Sequence, residues 1–132
     1  MGDIDGTINV GYCYHYGIGI DKDGHEAFIY YQKAAEMGDA VGMCNVGVCY
    51  EDGTGVEKDE KKAFEYFKKS AEMGHASGMY YVGEFYRKGI VVEKNIDIAF
   101  EWYLKSAITE QDNTTTKKKG FFRWIHLKIL KR

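Results

Sequence analysis

AVGMCNVGVCYEDGTGVEKDEKKAFEYFKKSAEMGH, residues Ala40–His75, decides the fold, because the chain repeats its pattern before and after it. A shift of 36 residues superposes Gly11, Gly47 and Gly83, then Tyr14, Tyr50 and Tyr86. Gly17, Gly53 and Gly89 follow, then Ala27, Ala63 and Ala99. Ala34-Ala35-Glu36-Met37-Gly38 returns as Ser70-Ala71-Glu72-Met73-Gly74. Self-similarity at a fixed period of this length marks a solenoid, in which each unit buries its apolar face only against its neighbours.

Within the quoted unit, Ala40, Met43, Val46, Gly47 and Tyr50 recur at helical spacing and form one apolar stripe. Gly53-Thr54-Gly55 ends that helix, since glycine takes positive φ without steric cost. Asp59 is placed to cap the next helix, whose buried stripe is Ala63, Phe64, Phe67 and Ala71. Gly74 closes it. Helices are therefore expected near residues 4–16, 24–37, 40–51, 60–73, 76–87 and 96–108. Asp23-Gly24-His25-Glu26 has the spacing of a capping box, and Asn95 is the expected cap of the sixth helix. Gly6, Thr7 and Gly11 weaken the first helix, which is expected to fray. The third loop reads Gly89-Ile90-Val91 and has lost its second glycine, so it is expected either to distort or to pack its apolar residues.

The same letters, A-x-G-M-x-x-V-G-x-x-Y-x-x-G-x-G-V-x-x-D-x-x-K-A-F-x-Y-x-x-K-S-A in the second unit, closely resemble the Sel-1-like repeat, a relative of the tetratricopeptide repeat with a longer inter-helix loop. The match spans residues 1–108 or so. The resemblance implies an all-α right-handed superhelix whose first helices line a concave face, and a role in binding other proteins as an adaptor or scaffold. Carried over by the motif, the concave positions are Asp5, Ile8, Tyr12, His15 and Tyr16 in unit one. In unit two they are Val41, Cys44, Val48, Glu51 and Asp52, and in unit three Ser77, Tyr80, Glu84, Arg87 and Lys88. Such a mixed apolar and charged wall suits a partner's peptide or helix. Ile8, Tyr12, Val48 and Tyr80 would give apolar contact, with Glu51, Asp52, Glu84, Arg87 and Lys88 setting charge complementarity. A generic solvated face is the plainer alternative.

The 132 residues bound one domain, divided as a solenoid over 1–109 (units 1–39, 40–75 and 76–109), a polar linker over 110–116 and a basic tail over 117–132. Met1-Gly2-Asp3 aligns with Met37-Gly38-Asp39, so the chain opens inside the repeat register. It is read either as a natural start or, the favoured reading, as a piece of a longer array, because no polar cap precedes unit one. The net charge of −2 conceals an asymmetry. The tail carries seven Lys and Arg and no acid, whereas residues 1–116 hold eleven Lys and Arg against twenty Asp and Glu, a net −9. An acidic body argues against a nucleic-acid ligand. In the tail, Phe121, Phe122, Trp124, Ile125, Leu127, Ile129 and Leu130 crowd the cations, and three readings stay open: an end-capping helix, a membrane-surface helix, and an unevolved extension.

Little else in the sequence points to chemistry. Cys13, Cys44 and Cys49 are odd in number and unpaired in spacing, which reads as reduced thiols in a cytoplasmic protein. Secreted bacterial relatives lock each unit with a disulfide at the positions of Ala35–Met43 and Ala71–Met79. No cysteine stands there, which weakens the transfer of those relatives' β-lactam chemistry. The opening residues lack a secretory signal, and no run is long and apolar enough to span a bilayer. His15, His25, His75 and His126 are scattered, and Cys13 and His15 lie about 200° apart on a helix, so they cannot share a metal. The Gly-x-Gly pairs lack a phosphate-binding context. Of the eleven tyrosines, Tyr14, Tyr50 and Tyr86 are core positions. Tyr30 and Tyr66 align with Trp102 and are assigned to packing between second helices, which leaves Tyr12 and Tyr80 as ligand contacts. No catalytic residue, metal or cofactor is expected. The reading is a non-enzymatic protein-interaction module, monomeric or part of a longer array. A membrane-peripheral regulator and a β-lactam hydrolase-like protein are the alternatives.

Overall fold

The computed structural model describes residues 3–112. They form six helices: α1 (Ile4–Tyr16), α2 (Gly24–Glu36), α3 (Ala40–Asp52), α4 (Glu60–Glu72), α5 (Ala76–Lys88) and α6 (Ile96–Asp112). Each packs on the helix before and after it in the chain, and α3 also touches α5 directly. The architecture is an all-α solenoid of three helix pairs, as the period requires.

The starts and stops follow from side-chain chemistry. Asp23, Asp39, Asp59 and Asn95 each accept a hydrogen bond from the amide three residues on, at 2.8–3.2 Å. This satisfies donors that the first helical turn leaves orphaned. The capping box at Asp23 is only half made: Asp23 accepts from Glu26, but its own amide donates to the Tyr14 carbonyl at 2.8 Å. Asp59 and Asn95 donate likewise to Tyr50 and Tyr86, both at 2.9 Å. A backbone bond common to all three units thus replaces the expected glutamate. The first helices end on left-handed Gly17, Gly53 and Gly89.

Helix α1 spans its full length, but it buries only Ile8 and Gly11, against five residues in α3. Two core clusters lie between successive units. The first holds Ala27, Tyr31, Ala35, Val46 and Cys49, and the second Cys44, Phe64, Phe67, Val82 and Phe85 among others. Gly11, Gly47 and Gly83 have a packing role. A Cβ on them would meet the ring of Tyr31, Phe67 or Tyr103 at 2.6–2.8 Å, so the missing side chain lets each ring lie against the first helix. Tyr30 stacks on Tyr14 and Tyr66 on Tyr50, at 5.8 and 5.9 Å between ring centres. The aromatic row on the second helices therefore packs onto the first helix of its own unit, not between second helices. Lys33, Lys69 and Lys105 cover the outer faces of Tyr30, Tyr66 and Trp102.

Two details set unit three apart from the others. Val91 keeps the left-handed conformation of the glycine it replaces, at φ 68° beside 72° in Gly55, and the flanking Ile90 and Val92 pack on the second core. The loop thus keeps this φ, closes a 2.7 Å bond from the Val92 amide to the Ile90 carbonyl that the other two loops lack, and carries its strain on one β-branched residue. Such a conformation costs an L-residue roughly 1–2 kcal/mol, and glycine's extra chain entropy returns about 0.5–1. Val91→Gly is therefore expected to raise stability by about 0.5–1 kcal/mol, read as a higher urea midpoint; a lower midpoint would show that Val91 contributes packing that outweighs its strain.

The second detail is the length of α6, which has 17 residues where the others have 13. It runs to Asp112, past the expected end at 108 and into the stretch assigned to a linker. The cause is local. Gly38 and Gly74 end α2 and α4 with φ of 84° and 88°, and the equivalent residue in unit three is Glu110, a helix former. Thr109 also holds α6 to α5 through a 3.6 Å contact with the Met79 sulfur. The remainder of the linker and the whole tail lie outside the described residues.

Candidate partner-binding face

The first helices α1, α3 and α5 bring part of the expected wall together. Tyr12, Val48 and Glu84 occupy one repeat position beside the ring of the second helix. Tyr12 meets Tyr31 edge-on at 5.7 Å and accepts a 3.2 Å hydrogen bond from Asn45 of the next unit. Val48 packs against the second core. Glu84 accepts two hydrogen bonds from Arg87, at 2.9 and 3.1 Å, and a third from the Tyr103 hydroxyl. Lys88 stands 3.8 Å away. Held foremost by Arg87, the Glu84 carboxyl is pulled down to about 2.

His15, Glu51 and Arg87 occupy the next repeat position, and the two outer members meet the hydroxyl of that ring. Nδ1 of His15 shares a 3.0 Å hydrogen bond with the Tyr31 hydroxyl, and Arg87 donates to the Tyr103 hydroxyl at 3.2 Å. In the middle unit the ring is Phe67, which has no hydroxyl. Glu51 is half-buried there and makes no hydrogen bond or close ion pair among the described residues. Burial first, then the charge of Asp52, raises its pKa. Burial likewise lowers that of His15. Tyr16, Asp52 and Lys88 are exposed beside these groups, and Tyr16 stacks on His15 at 4.4 Å. Of the first-turn positions, Asp5 and Ser77 are exposed and Val41 is half-buried.

Three expected contacts are placed elsewhere. Ile8 and Cys44 are buried, at 6% and 3% exposure, and Tyr80, their repeat equivalent, is 48% exposed. Cys44 belongs to the core with Phe67, Val82 and Phe85. This position points along the stack towards the next unit. Ile8 and Cys44 are therefore core residues, and Tyr80 lies on the end of the described stack. Asn45 and Tyr81 were not anticipated; Tyr81 stacks on Phe67 at 4.4 Å, and Glu51 and Asp52 are among the charges that act on it. The alternation Tyr31, Phe67, Tyr103, legible in the sequence, signals where a hydroxyl is missing.

The thiols of Cys44 and Cys49 are pushed up to about 12 by burial and are unreactive. Among the described residues no three His, Cys, Asp or Glu side chains are grouped to hold a metal, and no helix is long and apolar enough to cross a membrane. Two shallow depressions of about 410 and 430 Å³ lie at Tyr50–Lys62 and Tyr86–Ile98, one repeat apart. Their recurrence makes them a feature of the loop geometry.

Helix pairs stacked at a constant period, with buried rings between units and polar groups along the first helices, define a helical-repeat scaffold. The profile of the Sel1 repeat matches residues 4–39, 40–75 and 76–108, and the chain belongs to the Sel1 repeat family. It is similar to a Sel1 repeat protein from Oxalobacter formigenes at 34% identity and TM-score 0.78, over 81% of this chain and 44% of that one. It is also similar to c5321, a protective antigen of uropathogenic Escherichia coli with an SLR fold, at 35% identity and TM-score 0.74, over 79% of this chain and 22% of that one. Helicobacter pylori cysteine-rich protein B shares the fold at 23% identity and TM-score 0.62, over 90% and 94% of the two chains. The chain thus spans less than half the length of the first two. No curated protein matches it.

Proposed function

We propose that the chain is a protein-interaction module that docks a partner's peptide or helix along the face lined by α1, α3 and α5. The observation that carries this reading is Glu51. In the flanking units the group at that position is satisfied by a tyrosine hydroxyl; in the middle unit the equivalent ring is Phe67, which has no hydroxyl, and Glu51 lacks a hydrogen bond among the described residues. A half-buried carboxylate next to Asp52 gains from a cationic or N–H donor brought by a ligand. Tyr12, Tyr16, Val48 and Tyr81 give apolar surface around it, and Arg87 and Lys88 mark the basic end of the face. A scaffold role agrees with family membership. Cytoplasmic localisation, and a monomeric state or a place in a longer array, belong to the same reading.

The test is affinity capture from the source cell with the wild-type chain and a Glu51→Gln, Asp52→Asn pair as baits. Loss of the captured partner by the paired variant, at a melting temperature no lower than that of the wild type, is the expected result. Equal recovery by both would move the site off this face. Free Glu51 also has a thermodynamic signature. Its folded pKa is raised, so the folded state binds more protons than the unfolded state, and stability falls as pH rises from the ordinary carboxylate range through the raised value. Glu51→Gln is expected to raise the melting temperature at pH 7 and to lose that advantage near pH 4. An advantage of equal size at both pH values would contradict the assignment.

A further inference from the structure

The proposed docking face has a width and a charge order, and together they restrict its occupant. Its lining groups sit on matching stretches of the first helices, Tyr12–Tyr16, Val48–Asp52 and Glu84–Lys88. Each stretch rises about 6 Å along its helix, whereas an α-helix with its side chains is about 10–12 Å across. So narrow a band favours an extended chain over a helix. Spacing then selects one extended form. Helices α3 and α5 touch directly, and packed helices stand about 8–10 Å apart axis to axis. A polyproline II segment returns a side chain to the same side every three residues, about 9 Å. A β-strand does so every two residues, about 7 Å.

The charges differ from unit to unit. Unit one presents Tyr12, Tyr16 and His15, and burial keeps the His15 imidazole neutral at pH 7. Unit two presents Glu51 and Asp52. Glu51 is half-buried, and the cations that act on it, Lys88 and Lys58, stand beyond ion-pair distance. Unit three sets two cations against one carboxylate. Arg87 is fastened to Glu84 by two hydrogen bonds, which leaves Lys88, exposed and 3.8 Å from that carboxylate, as the surplus charge. A uniformly basic segment would gain at unit two and be repelled at unit three, and a uniformly acidic one the reverse.

Resting on the docking reading above, we infer that the occupant is a polyproline II peptide segment whose basic residue meets Glu51 and Asp52 and whose acidic residue, three positions away, meets Lys88. An apolar residue three positions to the other side lies on Tyr12 and Tyr16. The mixed pattern fixes the register of the segment on the face as well as its affinity.

The test titrates the nitrogen-15-labelled full chain with degenerate peptide mixtures that fix a central arginine and an aspartate three positions from it. Matched mixtures carry citrulline for arginine or asparagine for aspartate. Amide shifts are expected over residues 45–52 and 81–88, with binding about tenfold weaker for citrulline and about threefold weaker for asparagine. The Glu51→Gln, Asp52→Asn chain is expected to lose the citrulline effect alone, and Lys88→Gln the asparagine effect alone. Shifts over those stretches with no charge preference, or with the couplings exchanged, would overturn the inference and leave the docking face standing. Shifts confined to other residues, or none at about 1 mM peptide, would also overturn it, and the face itself would then stand or fall by the capture experiment.

Discussion

Replacing Phe67 by alanine is expected to cost about 3–5 kcal/mol and to lower the melting temperature by roughly 15 °C or more. Phe67 is fully buried. Its ring lies against Gly47, stacks on Tyr81 at 4.4 Å and meets Phe85 at 5.8 Å, so it joins helix to helix within unit two and unit two to unit three. Removing it leaves a cavity that neither unit can fill, because the surrounding positions are glycine, alanine and other rings. Thermal and urea denaturation read the effect. Phe28→Ala, at a half-buried position of α2, is expected to cost less. An equal loss at the two positions would mean that burial between units two and three is not what holds the stack.

Gly42→Val carries the second large effect. A Cβ at Gly42 would lie 2.7 Å from the Ala35 nitrogen and 2.9 Å from the Ala34 carbonyl carbon. Both are backbone atoms of α2, so no rotamer change relieves the clash and α2 and α3 must separate. The cost is expected to be about 3 kcal/mol or more. Units in such a stack touch only their neighbours, so the loss is local: exchange protection in α1 and α2 falls while α4 to α6 keep theirs. Gly6→Ala is the control. Its Cβ would meet only the Asp3 side chain, and alanine favours the helix by about 1 kcal/mol. Uniform unfolding by Gly42→Val would show that the three units fold as one cooperative block.

The fold was legible because its causes repeat. One period placed six helices, their glycine stops and the Asp and Asn caps, each a local rule applied three times. The departures are single residues that break the period. Glu110 replaces a glycine stop and lengthens α6, and Val91 takes a glycine conformation against its own preference. The binding face was less legible. An offset from a helix start gives a direction, but what stands in that direction depends on the neighbouring unit. Ile8 and Cys44 are covered by the unit that follows, whereas Tyr80 has none above it among the described residues. The state of Glu51 likewise depends on Phe67, sixteen residues away, and on the hydroxyls that Tyr31 and Tyr103 give to its counterparts. Cross-helix pairing of that kind is recovered by comparing repeats position by position.

The central claim, that a partner lies along α1, α3 and α5, is tested most directly by hydrogen exchange of the chain with and without the captured partner. The account predicts new protection over residues 12–16, 45–52 and 81–88, centred on Glu51. Protection confined to α2 and α4, with those three stretches unchanged, would contradict it.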